Sequence, residues 1–444
     1  SFIRMVVKKS HLTCAVLWAL AMESLIALVF MSMNIGGAPM YKDSSKEDTW
    51  VPAETANTAG AVDLLMMISL NMCLEFWILL RERNSSAADQ IMAGIAKTMK
   101  EYPVDFHGAR IITGQEEGAY GWMAINYLTD SFSKHSSKEG VPPGMVNTFG
   151  ALDLGGESTQ ISFIPKSSFM KWNEVSKVTL YGYNYNIYTQ SYLCYGQNEV
   201  LKRLAKTLIE ESPSRTQVGH PCYPKDYRET IWLSSLYSTP CIMQNDFHAA
   251  IADRRVTLEG KGNAKRCRAV IRKLLNVSTC GQSQDCNFNG VYQPPVSGHF
   301  FAFSGFYYNF RFLNLTNGQS LLTVSKSIRN FCTRSWQDLS SSYPEEKPER
   351  LRSYCTNANY ILTLLLDAYK FNETSWNNII FQRKAGSTDV TWSLGYALEL
   401  ANTIPRELLH LVQRQNPFLH AAAVVFIVSA LSMGLVLALK RWHR

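Results

Sequence analysis

Two short acidic segments, each containing glycines, carry the residue types best suited to phosphate chemistry. The first reads Thr-Gly-Gln-Glu-Glu-Gly over Thr113–Gly118, and the second reads Asp-Leu-Gly-Gly-Glu-Ser-Thr-Gln over Asp153–Gln160. Glycines let backbone amides close on a polyanion without an obstructing side chain. An aspartate can hold a divalent cation or its water, and a glutamate can act as a general base toward water. The two segments together therefore predict a site where water attacks a phosphate.

Each segment taken alone has a plainer interpretation. Asp-x-Gly-Gly also occurs in ordinary turns, and a Glu-Glu pair between glycines is usually a solvated acidic turn. Both segments, however, follow directly on an apolar run that predicts a strand. Two such strand-loop elements in one chain favour the functional interpretation over the two ordinary turns.

The elements that must position these segments alternate between helix and strand. Ser86–Lys100 carries apolar residues on one face at helical spacing, and Asn84 or Ser85 is the expected N-cap. The other expected elements are a strand pair over 104–113 leading into a glutamate loop, a helix over 122–128, a polar loop over 135–143, and strand, turn and returning strand over 150–163. This alternation predicts an α/β fold.

Length and charge limit the class of protein. A chain of 444 residues is long enough for two lobes with a cleft between them. The net charge of +8 suits a phosphate-bearing substrate, although most lysines and arginines serve only to solvate the surface. The sequence lacks a cluster of mixed basic and aromatic residues, which argues against nucleic acid as a partner.

Two apolar segments predict membrane spans. The segment 417–439 has spanning length, and the basic residues after it make 440–444 a cytoplasmic tail. The segment 12–33 follows the basic residues of 1–11, which places that end in the cytoplasm as well. Glu23 inside it is costly, and a cleaved signal peptide is the alternative interpretation. A third apolar run over 62–80 contains charged residues and is interpreted as a buried segment.

With both ends in the cytoplasm, the main domain is expected outside the cell, anchored in the lipid bilayer of the plasma membrane. Four Asn-x-Ser/Thr sequons predict N-glycosylation at Asn84, Asn276, Asn314 and Asn372. The eight cysteines of the central region, from Cys194 to Cys355, suit extracellular disulfides. A zinc site is the alternative for them, but it is disfavoured because no Cys-x-x-Cys pair occurs. Two spans in one chain also make a homo-oligomer an open alternative to a monomer.

The chain resembles the cell-surface apyrases, the ecto-nucleoside triphosphate diphosphohydrolases. Their third, fourth and fifth signature regions are matched by Thr113–Gly118, Ala151–Gln160 and Asp389–Tyr396. The resemblance begins near Leu79 and continues to the C-terminus. It implies an actin-like or hexokinase-like ectodomain of two lobes. The implied divisions are a first lobe over 34–113 (atypical over 34–80), a second lobe over 114–383, and a return to the first lobe with a stalk over 384–416.

The activity that this resemblance implies is extracellular hydrolysis of nucleoside tri- and diphosphates. ATP, ADP, UTP and UDP would yield the monophosphate and phosphate. Such phosphoryl transfer depends mainly on positioning and on neutralising charge. Glu117 would be the base that activates the attacking water, and Glu116 is the weaker candidate for that role.

The second acidic segment would hold the metal and the phosphates. By resemblance, Asp153 holds Ca²⁺ or Mg²⁺ through water, which suits the preference of these ions for oxygen ligands. Ser158 and Gln160 would fix the nucleophilic water and the metal shell. The backbone amides of Gly155 and Gly156 would cradle phosphate oxygens.

The resemblance also assigns a nucleobase site and a disulfide pattern. Tyr308 and Arg350 would sandwich the base, although core packing is the simpler interpretation of the other rings in Phe301–Tyr308. Trp392 would support the cleft. The implied disulfides are Cys194–Cys241, Cys222–Cys267, Cys280–Cys286 and Cys332–Cys355.

The chain departs from the family pattern near its N-terminus. The first signature, an Asp-x-Gly-Ser-Ser-x-Thr loop, and the second, Ala-Thr-Ala-Gly-Met-Arg, do not occur in 34–80. Glu157 also stands where a small residue is usual. These departures keep open an alternative function, that of a catalytically impaired membrane glycoprotein that binds nucleotide or pairs with active homologues. A channel or transporter is disfavoured, because only two or three apolar runs occur.

Overall fold

The computed structural model describes residues 84–102, 106, 108–132, 148–166, 175–180, 183–214, 216–237, 239–242, 254–276 and 289–403. Apart from Phe106, all of them lie in one compact unit that spans 72–102 and 107–403. The expected spans 12–33 and 417–439, the apolar run 62–80 and the Cys280–Cys286 pair fall outside these ranges. Within the ranges, no helix is both long and apolar enough to cross a membrane.

The first described helix, α1 (Ser85–Met99), confirms the expectation from its periodicity. Asn84 caps it, because its Oδ1 accepts a hydrogen bond from the Ala87 amide at 3.0 Å. Ala88 and Met99 are its buried residues. The local sequence therefore predicts both the N-cap of this helix and, to within one residue, its bounds.

The second helix, α2 (Gly114–Leu128), corrects two expectations. The glutamate pair lies in its first turn, not in a loop, because Thr113 and Glu116 form a reciprocal capping box that starts the helix there. The strand pair expected over 104–113 is absent from the described residues of that range. Gly108 has a φ of 134°, a conformation that interrupts a strand. The helix expected over 122–128 is confirmed as the end of α2.

A six-stranded sheet forms the centre of the described unit. Its strands are β1 (Gly150–Leu154), β2 (Ser158–Phe163), β3 (Ser176–Leu180), β4 (Tyr183–Leu193), β8 (Phe300–Ala302) and β9 (Ile379–Phe381). They lie side by side in the order β3-β4-β2-β1-β8-β9. The first four strands of this order pair antiparallel, whereas β8 runs parallel to both β1 and β9. This arrangement confirms a mixed α/β fold.

The other described elements surround this sheet. A three-stranded sheet contains β5 (Gln217–His220), β6 (Arg228–Trp232) and β7 (Arg255–Gly260), and a small hairpin contains β10 (Lys384–Ala385) and β11 (Thr388–Asp389). The remaining helices within the described ranges are α3 (Gln197–Glu211), α4 (Leu233–Leu236), α5 (Ala264–Leu275), α6 (Gly305–Phe312), α7 (Leu321–Cys332), α8 (Trp336–Ser342), α9 (Pro348–Leu351), α10 (Tyr354–Thr363, continued by a π-helical turn over Leu364–Ala368), α11 (Glu373–Trp376) and α12 (Trp392–Thr403).

The two faces of the central sheet pack into different cores. Leu152, Ile161 and Tyr188 belong to the larger core, while Ala151 and Ile187 belong to the smaller core that contains the apolar residues of α2 and α12. Because side chains alternate along a strand, the residues in phase with Ala151 and Ile187 face α2. That face carries a polar line made of Asp153, Ser158, Gln160, Ser162, Thr189 and Ser191.

Three disulfides join elements of the described unit. Cys194–Cys241, Cys222–Cys267 and Cys332–Cys355 are bonded, which confirms three of the implied pairs. The cysteines of these three pairs therefore bind each other and not a metal. All four predicted glycosylation sites (Asn84, Asn276, Asn314 and Asn372) are exposed at the surface.

Candidate functional site

The strand register brings three polar residues into one row across the sheet. Gln160 on β2 lies opposite Asp153 on β1 and opposite Ser191 on β4. Asp153 and Gln160 are both almost fully buried, at 5% and 1% exposure. Buried polar side chains need hydrogen-bond partners, so this row requires compensating groups from the helix above it.

α2 supplies one of those groups, the carboxylate of Glu117. Glu117 is buried, and its Oε2 accepts a hydrogen bond from Gln160 Nε2 at 2.8 Å. The same nitrogen donates to Ser158 Oγ at 2.8 Å and to Ser191 Oγ at 3.2 Å. Gln160 Oε1 is also buried and has no hydrogen-bond partner among the described residues. The structure thus joins Gln160 to both Glu117 and Ser158, with Asp153 adjacent to Gln160 in the row.

The neighbouring carboxylate, Glu116, has a different environment. Its Oε2 accepts from the Thr113 amide at 2.7 Å, and its Oε1 accepts from Arg110 Nη1 at 2.8 Å. Partial burial raises the pKa of Glu116, but the hydrogen bonds from Thr113 and Arg110 outweigh this and hold it below the ordinary value. Both of its oxygens serve the helix terminus, which leaves Glu117 as the carboxylate that faces the row.

Glycines on α2 allow the helix to lie directly on the polar line. A Cβ at Gly114 would come within 2.2 Å of Ser191 Oγ. A Cβ at Gly118 would come within 2.7 Å of both Ser162 Oγ and Thr189 Oγ1. A glycine inside a helix costs roughly 0.5–1 kcal/mol relative to alanine. Here that cost is offset by the close approach that brings Glu117 to Gln160.

The turn between β1 and β2 is anchored on the start of α3. The carbonyls of Gly155 and Gly156 accept hydrogen bonds from the amides of Gln197 and Asn198 at 3.0 and 2.9 Å. A Cβ at Gly156 would lie 2.7 Å from Asn198 Nδ2, so a larger residue there would have to displace the Asn198 side chain. The Gly155 amide itself donates to Ser158 O at 3.0 Å, within the turn. The hairpin expected over 150–163 is therefore confirmed, and it is rigidly held.

The donor set around Asp153 is composed of oxygen atoms. The Asp153 carboxylate, the Ser158 hydroxyl and the partnerless Gln160 Oε1 are hard ligands of the kind that Ca²⁺ and Mg²⁺ prefer. Within the described part of the chain, no group of three or more His, Cys, Asp or Glu side chains could hold a metal ion. Asp153, Ser158 and Gln160 could each contribute an oxygen ligand to such an ion.

The predicted nucleobase residues lie on the surface. Tyr308 on α6 is 54% exposed. The Arg350 side chain on α9 is 68% exposed and lies 4.0 Å from Glu346. In the described structure, no hydrogen bond or cation–π contact joins Tyr308 to Arg350. Trp392 is largely buried at the first residue of α12, and its helix packs on α2.

The sequence analysis did not assign a role to three further residues of the site, Thr113, Arg110 and Ser191. Thr113 and Arg110 position Glu116. The Thr-x-x-Glu spacing typical of a capping box is a sequence signal for Thr113. Ser191 lies in β4, far from both acidic segments in the chain, and only the strand register brings it to Gln160. No local sequence signal marks it.

A buried carboxylate that accepts a hydrogen bond from an amide, in a row with a hydroxyl and a second carboxylate, has the groups needed to activate water for attack on a phosphate. Residues 77–415 match the profile of the GDA1/CD39 (nucleoside phosphatase) family, and the chain belongs to this family. The matched region begins at residue 77, near the end of the segment 34–80 in which the first two signatures do not occur.

Named relatives agree with this assignment. The chain is 46% identical over 359 residues to ectonucleoside triphosphate diphosphohydrolase 8 of Gallus gallus, covering 81% of this chain and 72% of that one. It is 42% identical over 357 residues to ectonucleoside triphosphate diphosphohydrolase 8 of Homo sapiens, covering 80% and 71%. A crystal structure of nucleoside triphosphate hydrolases from Neospora caninum has a TM-score of 0.48 at 15% identity, covering 67% and 65% of the two chains, a similarity too low to bear on the argument.

Proposed function

We propose that this protein hydrolyses nucleoside tri- and diphosphates to the monophosphate and phosphate. The observation that carries the proposal is the hydrogen bond between Gln160 Nε2 and Glu117 Oε2, which fixes a buried carboxylate beside Ser158 and Asp153. Membership of a nucleoside phosphatase family and the names of the relatives support it. The alternative, a catalytically impaired glycoprotein, is not favoured by those relatives.

In the proposed mechanism, Glu117 accepts a proton from the attacking water. General bases of this kind contribute roughly 10²–10⁴-fold to rate. Gln160 orients the Glu117 carboxylate through the hydrogen bond from its Nε2. Ser158 is hydrogen-bonded to the same nitrogen, and the two residues together orient the water. The Gly155–Gly156 turn faces the phosphates, and its anchorage on α3 keeps that position fixed before substrate arrives.

A divalent cation, Ca²⁺ or Mg²⁺, completes the proposed site. Asp153 would hold it through water, with Gln160 Oε1 as an additional oxygen ligand. When bound, such an ion neutralises charge on the phosphate oxygens. The family resemblance supports this assignment.

Tyr308 and Arg350 form the proposed nucleobase site. An exposed phenol ring and a guanidinium can both stack on a base without reading its edges, which would give broad base specificity. Trp392 is proposed to support the cleft. We also propose the finer fold, an actin-like ectodomain of two lobes with the divisions given above.

The proposed location is the plasma membrane, with the main domain outside the cell. The relatives are named as ectoenzymes, and the three disulfides suit an oxidising compartment. Spans over 12–33 and 417–439, glycans on the four exposed sequons, and a homo-oligomer belong to this proposal.

The direct test measures phosphate release from ATP and ADP by intact cells expressing the chain, with and without a divalent chelator. Release above that of mock-transfected cells, abolished by the chelator and restored by Ca²⁺ or Mg²⁺, is expected. No release from cells that display the protein at their surface would reject the proposed activity and favour the non-catalytic alternative.

A further inference from the structure

Ser191 shares the row of Asp153 and Gln160 but belongs to neither acidic segment. It lies on β4 directly opposite Gln160, and its side chain is half-buried. Its Oγ accepts a hydrogen bond from Gln160 Nε2 at 3.2 Å. The residue is therefore attached to the amide that contacts the proposed base.

The orientation of the Gln160 amide matters because its two ends have opposite polarity. With Nε2 toward Glu117, the amide donates to the carboxylate. If the amide were rotated, its carbonyl oxygen would face the carboxylate oxygen, and the two would repel each other. In this orientation Ser158 and Ser191 each present an oxygen to Nε2. Because a hydroxyl can either donate or accept, the Glu117 carboxylate selects the orientation, and the two hydroxyls hold the amide in place once it is set.

Ser191 also contacts the start of the helix that carries Glu117. A Cβ on Gly114, the first residue of α2, would lie 2.2 Å from Ser191 Oγ and 2.7 Å from Ser191 Cβ. The serine thus lies between the first turn of α2 and the Gln160 side chain. Ser191 thus contacts both the helix that carries Glu117 and the Gln160 amide that donates to Glu117.

We propose that Ser191 is a positioning residue for the hydrolytic reaction, which holds the Gln160 amide with Nε2 toward Glu117. This inference rests on the proposed function. The proposed role of Ser191 acts through the Gln160 amide, to which its hydroxyl is bonded.

The chain offers a matched control one row away. Ser162 and Thr189 are opposite each other in the next row, and their hydroxyls share a hydrogen bond of 2.7 Å beneath Gly118. Ser162 contacts the same helix through a glycine, but its hydroxyl has no hydrogen bond to the Gln160 amide within the described structure. Ser162→Ala therefore tests the effect of removing a helix-packing hydroxyl alone.

The experiment compares Ser191→Ala with Ser162→Ala in the purified full-length protein. Ser191→Ala is expected to lower kcat for ATP about 2- to 10-fold, the effect of one neutral hydrogen bond, with KM changed less than about twofold. Ser162→Ala is expected to leave kcat within about twofold of wild type, while the two variants have similar thermal midpoints. Equal losses of kcat in both variants, an unchanged kcat in Ser191→Ala, or a loss carried by KM would overturn the inference.

A double-mutant cycle separates positioning of Gln160 from any other role. In a Gln160→Ala background, which is expected to retain measurable activity, Ser191→Ala should cause no further loss, because the amide that it positions is gone. A full additional loss in that background would contradict the inference. Failure of the proposed function is distinguishable, because the wild-type protein would then release no phosphate from ATP, whereas failure of this inference leaves the wild-type protein active.

Discussion

Gly395 on α12 lies directly against the backbone carbonyl of Tyr120 on α2. A Cβ at position 395 would come within 1.9 Å of that oxygen, so no other residue fits without moving one helix. The hydroxyl of Tyr120 donates to Glu399 on the same face of α12. Arg110 lies over the ring of Tyr396, with 5.4 Å between the guanidinium carbon and the ring centroid. The segment that resembles the fifth signature therefore holds the helix that carries Glu117.

Replacing Gly395 by alanine is expected to destabilise the protein. Forcing a methyl group against a backbone atom typically costs about 1–3 kcal/mol. Thermal unfolding should show a lower midpoint, and kcat should fall with it because α2 shifts relative to Gln160. Gly94→Ala is the matched control. Gly94 is inside α1, where an added Cβ would meet no atom within 4 Å, so the change should stabilise by about 0.5–1 kcal/mol. Equal midpoints for the two variants would contradict the close packing.

The two adjacent glutamates are expected to respond differently to the same substitution. Glu117→Gln removes the proposed base and should lower kcat by roughly 10²–10⁴-fold with little change in stability. Glu116→Gln keeps the capping box, because glutamine can accept from the Thr113 amide, and loses only the half-exposed ion pair with Arg110. It should retain most activity. Steady-state kinetics on both purified variants decide the matter, and a larger loss in Glu116→Gln would reverse the assignment.

Local signals predicted α1 with its Asn84 cap and the β1–turn–β2 hairpin, because both are determined by residues that are close in sequence. The same reasoning failed at Gly114, where glycines and charges read as a loop. The Thr113–Glu116 capping box starts the helix there, and the packing of α2 against the sheet, which its glycines permit, offsets their low helix propensity. Intrinsic propensity is a weak prior that tertiary contacts override.

The membership of the site was only partly predictable. Glu117 and Asp153 stood out by type, and the family resemblance supplied Ser158 and Gln160. Ser191 did not stand out, because its contact with Gln160 depends on the pairing of β4 with β2 across 31 residues of chain. Strand register is set by long-range packing, and a shift of one residue would move Ser191 to the opposite face.

Tyr308 allows the proposed nucleobase site to be tested without harming the fold, since more than half of its surface is exposed. Stacking on an aromatic ring contributes about 1–3 kcal/mol per base, so Tyr308→Ala should raise KM for ATP roughly 5- to 100-fold. Hydrolysis of inorganic tripolyphosphate, which has no base, should be unaffected. Tyr127→Ala, at a similarly exposed tyrosine on α2, is the control for surface truncation. A KM increase shared by tripolyphosphate would exclude a stacking role.

His220, at the end of β5, is expected to make the folded protein less stable as the pH falls. His220 is completely buried, its ring stacks on Tyr223 at a centroid distance of 3.6 Å, and its Nδ1 accepts from the Tyr223 amide at 3.1 Å. Burial, aided by the positive charge of Arg352, lowers the pKa of His220 from 6.5 to about 3. The folded protein therefore requires the neutral imidazole.

Between these two pKa values the unfolded chain binds a proton at His220 that the folded protein does not. The contribution of His220 to the free energy of unfolding is thus fully present above pH 6.5 and is lost as the pH falls toward 3. The free energy of unfolding then changes with a slope that approaches about 1.4 kcal/mol per pH unit. His220→Phe keeps a stacking ring but removes the titration, so it should be less stable at pH 7 and show a flatter dependence between pH 6.5 and 5. Denaturant titrations across this range measure the slope. His299→Phe, at an exposed histidine, is the control for the exchange of a histidine for a phenylalanine. A His220→Phe slope equal to that of wild type would show that the buried imidazole does not govern acid stability.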